Sequence, residues 1–312
     1  IRGTSAGNYN LSSTSYVKTG ATITKQTVNP VTNVAVSTAG IVTWNASSNA
    51  TGYQISIDNS SWTTASSGVD YLSTIIGGTG SRTVYVRAVN SDTSNYTTPS
   101  SNATKAVTVY KVTFTTNTVN SKIPGTLDTS SYNVISGATV SVSSNKLTIN
   151  GVTTGTTTKA LKTVTASNNT GYHFTSWSKT SGSITAAMTI TANYEANALT
   201  FANQSISKTY STSSQTASVT AASNGTGTYT YAEVSEVNAS GTATSYISLS
   251  GTTITLAAKT PVGTYTYVIR ATDSNSASTT TATYTITVGK QTVNPVTNVA
   301  VSTAGIVTWN AS

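Results

Sequence analysis

The 312 residues contain one histidine, His173, so any Ser–His–Asp relay has to pass through it. His173 sits in the run Tyr172-His173-Phe174-Thr175-Ser176-Trp177. Strand alternation there turns Tyr172 and Phe174 to one face and His173 to the other, which reads as a solvated side chain rather than a base. Ser176 is one hydroxyl among a great many in this Ser- and Thr-rich chain. A glycosidase needs two carboxylates flanking one bond. The acids closest in sequence, Glu233 and Glu236, are three apart and on a strand fall on opposite faces. Asp58 and Asp70 share a segment in which neither has an acidic neighbour. Asp273-Ser274-Asn275 is the best run of oxygen ligands for calcium, and an Asx turn accounts for it as well. One His and no Cys leave no thiolate or imidazole cluster for a transition metal and no disulfide. The expectation is a chain that is not an enzyme, with no catalytic, cofactor-binding or metal residues and no cofactor.

Composition says what such a chain is built from. Charged residues make up 8%, against roughly 25% in an ordinary soluble domain, so hydroxyls and amides must supply the polar surface. Thr, Ser, Val, Ile and Tyr alternate through most of the sequence, the pattern of half-buried strands. The net charge of +8 is not gathered anywhere: Lys18, Lys25, Lys105, Lys111, Lys122, Lys146, Lys159 and Lys162 are spread along the chain. Nucleic-acid binders concentrate charge on one face, so no nucleic-acid partner is expected. A diffuse positive field still favours an acidic cell wall or polysaccharide. No run approaches the 18 apolar residues of a spanning helix, so this segment is expected to have no membrane span.

The elements that hold these residues repeat. Lys25 to Ser47, KQTVNPVTNVAVSTAGIVTWNAS, returns unchanged as Lys290 to Ser312, an offset of 290 − 25 = 265 residues. The segment that opens at Ile1-Arg2 resembles the one that begins at Ile269-Arg270 and also leads into Lys-Gln-Thr. A fixed long period is the mark of an array. The chain is therefore expected to begin inside one module and stop inside another, covering little more than one period.

Residues 1–27 read as the C-terminal strands of a preceding Ig-like module. Residues 28–110 hold short alternating runs parted by turn residues, the mark of a sandwich. Val42-Thr43-Trp44, Gly52-Tyr53-Gln54-Ile55 and Tyr85-Val86-Arg87-Ala88-Val89-Asn90 carry a resemblance to fibronectin type III domains. Residues 111–196 close with Gly171-Tyr172-His173-Phe174-Thr175-Ser176-Trp177 and Met188 to Tyr194, which resembles the InlB B-type bacterial repeats. That resemblance implies a β-grasp-like unit found in bacterial surface proteins. Residues 197–289 carry Pro261-Val262-Gly263-Thr264-Tyr265-Thr266-Tyr267-Val268-Ile269, similar to the late hairpin of bacterial Ig-like or cadherin-like domains, although the paired-acid calcium motifs of the latter are missing. Some bacterial surface Ig-like domains form a Lys–Asn amide. Lys208 and Lys259 with Glu233 or Glu236 are the ingredients here, although the last strand, Tyr284 to Val288, has no Asn. Residues 290–312 start the next fibronectin III-like repeat.

The fold class expected is all-β dominated: tandem β-sandwiches, Ig-like and fibronectin III-like, with one β-grasp-like B-repeat module, arranged as a rod. Trp44, its copy Trp309, Tyr85, Trp177 and Tyr265 are expected to anchor cores. Tyr229 and Tyr231, like Tyr265 and Tyr267, share a strand face, where tyrosines fill a thin core and send hydroxyls to the rim. The junctions Val109-Tyr110-Lys111-Val112, Tyr194 to Leu199 and Val288 to Gln291 leave no room for a flexible spacer. The functional expectation is a structural repeat segment of a long bacterial extracellular or cell-surface protein, forming a stalk or filament. Its partners would be neighbouring copies of the repeat, side by side in a fibre. The alternative is a multivalent adhesin for cell-wall or host glycans or a host protein, with Trp62 the first residue to inspect.

Overall fold

The computed structural model describes residues 23–99 and 101–311. The strands expected before residue 23 lie outside them. The first module holds β1 (Gln26–Thr27), β2 (Thr32–Val36), β3 (Ile41–Asn45), β4 (Gly52–Ser56), β5 (Thr63–Ala65), β6 (Val69–Asp70), β7 (Gly80–Val89) and β8 (Tyr96–Thr97), then β9 (Ala103–Thr116). The second holds β10 (Gly125–Leu127), β11 (Ser131–Ile135), β12 (Thr139–Ser143), β13 (Lys146–Val152), β14 (Thr158–Asn168), β15 (Tyr172–Trp177), β16 (Ser181–Ser183) and β17 (Met188–Ala196). The third holds β18 (Gln204–Thr209), β19 (Gln215–Ser218), β20 (Tyr229–Asn238), β21 (Ile247–Ser250), β22 (Thr253–Leu256), β23 (Gly263–Asp273) and β24 (Thr279–Gly289). A last hairpin, β25 (Thr297–Val301) and β26 (Val307–Asn310), follows. The fold is all-β, with tandem sandwiches as its architecture.

Period-two burial builds each core. On β7, Val84, Val86 and Ala88 are fully buried, and Tyr85 and Arg87 between them face the other way. Tyr85 is therefore not the core anchor expected from sequence, because its neighbours on both sides already take the inner face. Trp44, Trp177 and Tyr265 are buried as anchors. On β23 and β24 the inward pairs are Tyr265 with Ile286, Tyr267 with Tyr284 and Ile269 with Ala282. The tyrosine hydroxyls reach the rim and close loops. Tyr231 Oη accepts from the Ala222 amide at 3.0 Å, Tyr229 Oη from Gly225 at 3.0 Å and Tyr284 Oη from Thr220 at 3.2 Å. Tyr265 Oη donates to the Pro261 carbonyl at 2.8 Å. Phenylalanine would fill the same space and leave these loop groups unpaired.

The first two modules are not joined by a linker. The residues read from sequence as a junction, Val109-Tyr110-Lys111-Val112, lie inside the single strand β9. Its first half pairs with β7, and its second half pairs with β11 and, in parallel, with β17. Burial changes phase along it. Val107 and Val109 belong to the first core, and Tyr110, Val112 and Phe114 pack in the second. Odd and even positions of a strand face opposite ways, so one strand serves two cores on its two faces. β11 does the same, with Ile135 opposite Val109 in the first core and Val134 opposite Tyr110 in the second.

Ile135→Ala, a substitution within the second module, is expected to loosen the first by about 3 kcal/mol, the usual cost of cutting back a buried Ile. Amide exchange at Val42, Ile55 and Val86 should speed up on the order of 100-fold, well beyond any change at Leu147 and Ile149. Acceleration confined to the second module would contradict the shared ribbon.

Candidate functional site: the junctions between modules

The structure leaves the sequence candidates for chemistry scattered. His173 is exposed, with Nδ1 2.9 Å from Asn197 Oδ1, and Ser176 Oγ accepts from Asn193 Nδ2 at 3.1 Å. Asp58 turns back on its own loop, accepting from the amides of Ser60 and Ser61 and the hydroxyl of Ser56. These bonds hold its carboxyl well below the usual range. Glu233 and Glu236 depart from the expectation of opposite faces. A bulge between Glu233 and Ser235 brings both beside the inward-facing residues of β23, Glu233 opposite Ile269 and Glu236 opposite Tyr267. An extra residue in one strand resets the alternation. Protein donors occupy both carboxylates. Glu236, buried, accepts from Thr244 Oγ1 at 2.7 Å and from the amides of Tyr246 and Ile247 at 3.0 Å each. Glu233 accepts from Tyr267 Oη at 2.9 Å, and Lys208 Nζ donates to the Thr216 carbonyl at 2.8 Å. Lys208, Glu233 and Glu236, three of the four ingredients named for a Lys–Asn amide, therefore have other partners. Among the described residues no group of three His, Cys, Asp or Glu is placed to hold a metal ion.

What the fold brings together is its junctions. Between the first two modules the tip of the β2–β3 hairpin lies against β13. The Ala39 amide donates to the Val152 carbonyl at 3.1 Å, and the Val152 amide donates to Thr38 Oγ1 at 2.7 Å. Gly151 makes the approach possible, since a Cβ there would sit 2.7 Å from Ala39 Cα and 2.8 Å from Thr38 O. A lone glycine inside a strand is the sequence signal for such backbone contact, and Gly151 in Asn150-Gly151-Val152 carried it unread. Lys159 Nζ lies 3.8 Å from Asp70 Oδ2 across the same boundary, an exposed pair that contributes little.

The second junction is built differently. The third core, from Phe201 to Val288, draws no side chain from the second module. Contact is made through loops: the Asn197 amide donates to the Gly171 carbonyl at 2.8 Å, and Asn120 Nδ2 donates to the Ser276 carbonyl. Gly171, at φ +83°, lies under Thr226, where a Cβ would come within 2.6 Å of the Thr226 methyl. Asp273 ties these loops together. Fully buried, it accepts from the amide and hydroxyl of Thr226, the Asn275 amide at 3.0 Å and Ser276 Oγ at 2.9 Å. Burial pushes its carboxyl up, and these hydrogen bonds outweigh that, holding it at about 2. The Asp273-Ser274-Asn275 run is thus a turn whose acid faces into the protein.

One outward face carries recognition-type side chains. Arg87 stacks over Trp62 with its guanidinium carbon 4.0 Å from the ring centroid, and its Nε donates to Gln54 Oε1 at 2.9 Å. Trp62, just before the edge strand β5, is half-buried by this contact.

No family model matches the chain, and no curated protein matches it. Among solved structures, the chain is similar to a SusE-like surface-located polysaccharide-binding protein from the Bacteroides thetaiotaomicron heparin utilisation locus. The TM-score is 0.23 and the identity 12%, over 88% of this chain and 54% of that one. The chain thus spans about half that protein's length. It is also similar to extracellular cadherin domains 3–6 of protocadherin gamma B2, with a TM-score of 0.28 and 11% identity, over 90% of this chain and 75% of that one. Likenesses at this level assign no role.

Asp273→Asn puts an amide where four donors converge and is expected to cost the third module about 2 kcal/mol, near 10 °C in its melting midpoint at pH 7. Because the folded carboxyl sits at about 2, below its ordinary 3.8, its stabilisation is complete above the ordinary value and fades as pH falls through 2. The gap between variant and wild type, read by scanning calorimetry, should therefore close under strong acid. Equal midpoints at pH 7 would contradict this role.

Proposed function

We propose that the chain is a structural repeat segment of a long bacterial extracellular or cell-surface protein, and that it works as part of a stalk or filament rather than as an enzyme. The observation that carries this reading is the β9–β11 ribbon, whose two faces feed two cores and leave no hinge between the first and second modules. A protein that must hold a distance needs such junctions, since a flexible linker would let the ends coil back. The exact return of 23 residues after 265 supports repetition of the unit. A surface of hydroxyls and amides with few ions also suits a long exposed body, because its interactions change little with salt. Each module would add about 30–40 Å, the length of a strand of about ten residues with its turns.

A second reading, a multivalent adhesin for glycans, has the Trp62–Arg87–Gln54 face in its favour, because an aromatic ring flanked by planar donors suits a sugar. Electron microscopy of the native full-length protein tests the first reading. Thin single-file beads are expected. A thick fibre several strands wide would make lateral contacts the working surface, and a compact particle would remove the stalk. Retention on a polysaccharide gel that is lost in Trp62→Ala would favour the adhesin.

A further inference from the structure

Among the described residues Tyr246 is the only exposed tyrosine, at 38%; the rest are buried or half-buried. It lines a cleft of about 280 Å³ in the third module, where β20 ends and β23 begins. Val262, 48% exposed, lines the same cleft. Asn238, Ser240, Thr244 and Pro261 also line it, and none of the lining residues is charged. The volume is at the small end of ligand sites, which start at about 300 Å³.

Each wall is fixed from behind. Glu236 is buried and accepts from the Thr244 hydroxyl and from the Tyr246 and Ile247 amides. Burying a carboxyl group is costly unless donors surround it, and these three donors all lie in the one segment that carries the Tyr246 ring. The ring stands at 75° to Tyr265 with centroids 5.9 Å apart, an edge-to-face contact. Tyr265 Oη donates to the Pro261 carbonyl at 2.8 Å, which ties the Pro261-Val262 wall to the same core. On the remaining wall Asn238 Oδ1 accepts from the Ser240 and Thr242 amides, both at 3.0 Å. The carboxamide is thereby held, and among the described residues Asn238 Nδ2, Ser240 Oγ and Tyr246 Oη have no hydrogen-bond partner.

The main chain around the cleft is already paired. The Tyr246 carbonyl accepts from the Ala257 amide at 2.8 Å, the Asn238 amide donates to the Thr242 carbonyl at 2.9 Å, and the Gly241 amide donates to the Asn238 carbonyl at 2.9 Å. A peptide added there as a strand would find few backbone groups to bond. What is left is one exposed aromatic ring, an aliphatic neighbour, and separate neutral donors and hydroxyls. That set suits a sugar, which offers C–H groups to the ring and hydroxyls to the amide. Uncharged walls favour a neutral sugar, because a charge brought into them would lose water without gaining a partner.

We propose that this cleft binds one neutral pyranose unit of a polysaccharide, stacked on Tyr246, with Asn238 Nδ2 donating to one of its hydroxyls. The site is in a different module from the Trp62–Arg87 face and does not rest on it; the two share only the class of ligand. Because the walls are set before the sugar arrives, little ordering opposes binding. A contact with a single ring is still weak, with a Kd on the order of 1–10 mM.

The test follows amide resonances of the intact chain during titration with the methyl glycosides of glucose, galactose, mannose and N-acetylglucosamine, and with methyl glucuronide as the charged comparison. At least one neutral glycoside should shift Ser240, Tyr246, Val262 and Gly263 together in that range, and the glucuronide should bind more weakly. Tyr246→Ala should weaken binding about 10-fold. Asn238→Asp keeps the acceptor for the Ser240 and Thr242 amides and removes the Nδ2 donor, so it should weaken binding with the rest of the spectrum unchanged. Trp62→Ala should leave the titration as it is. No shift at these amides with any neutral glycoside up to about 100 mM, ten times the expected Kd, would overturn the proposal. Binding that survives both Tyr246→Ala and Asn238→Asp would overturn it too, and an equal response to the glucuronide would overturn the neutral assignment. Shifts confined to the amides around Trp62, and lost in Trp62→Ala, would overturn this site and uphold the adhesin reading on the other face.

Discussion

The two-stranded ribbon of β9 and β11 is the constraint on which the rest depends. A strand has two faces, and an ordinary sandwich strand spends one on its core and one on water. Here successive halves of β9 offer opposite faces to different cores, and β11 repeats the arrangement through Ile135 and Val134. Bending at Tyr110-Lys111 would open both cores, so the joint is as stiff as the cores are stable. The hairpin tip at Thr38-Ala39 adds a second point of attachment on β13, and two separated attachments resist twisting as well as bending. The third module lacks these features. Its core is closed on itself, and loops around Gly171, Thr226 and Asp273 make the contact. A graded series follows, with a fused pair and then a softer joint.

Polar groups do the local work that ions do in many proteins. Asp273 and Glu236 are buried with amide and hydroxyl donors as their partners. At Asp273 the hydrogen bonds favour the charged carboxylate, and in a low-dielectric interior they are stronger than in water. Tyrosine hydroxyls close loops in the same way, at Ala222, Gly225 and Thr220 in the third module and at Ser66 in the first. A chain with 8% charged residues can be specific because these donors and acceptors are directional.

Much of the fold was legible in the sequence, for a reason that also limits the reading. Period-two alternation identifies strands, and large apolar residues at its inner positions identify anchors, so Trp44, Trp177 and Tyr265 could be placed without coordinates. Alternation is local, however. It could not show that Glu233 and Glu236 share a side, because a bulge lies between them. The same signal, taken strictly, places Tyr85 outside, since Val84 and Val86 claim the inner face. At the junction the information was present as a phase change from Val107 and Val109 to Val112 and Phe114. Read only as a short junction, it hides the shared strand. Trp309 is a different case. It lies in the same local sequence as Trp44 yet is 57% exposed against 7%, so it is not the core anchor expected, and local sequence alone does not set an anchor's burial.

The most direct test of the account is the relative alignment of the modules in solution. Residual dipolar couplings measured on the intact chain give an alignment tensor for each module. The first and second modules should fit one tensor, with the orientation seen in the structure, and the third should show a reduced tensor from motion at its looser joint. Separate tensors for the first two modules would mean that β9 bends at Tyr110-Lys111, and the fused ribbon would not describe the protein.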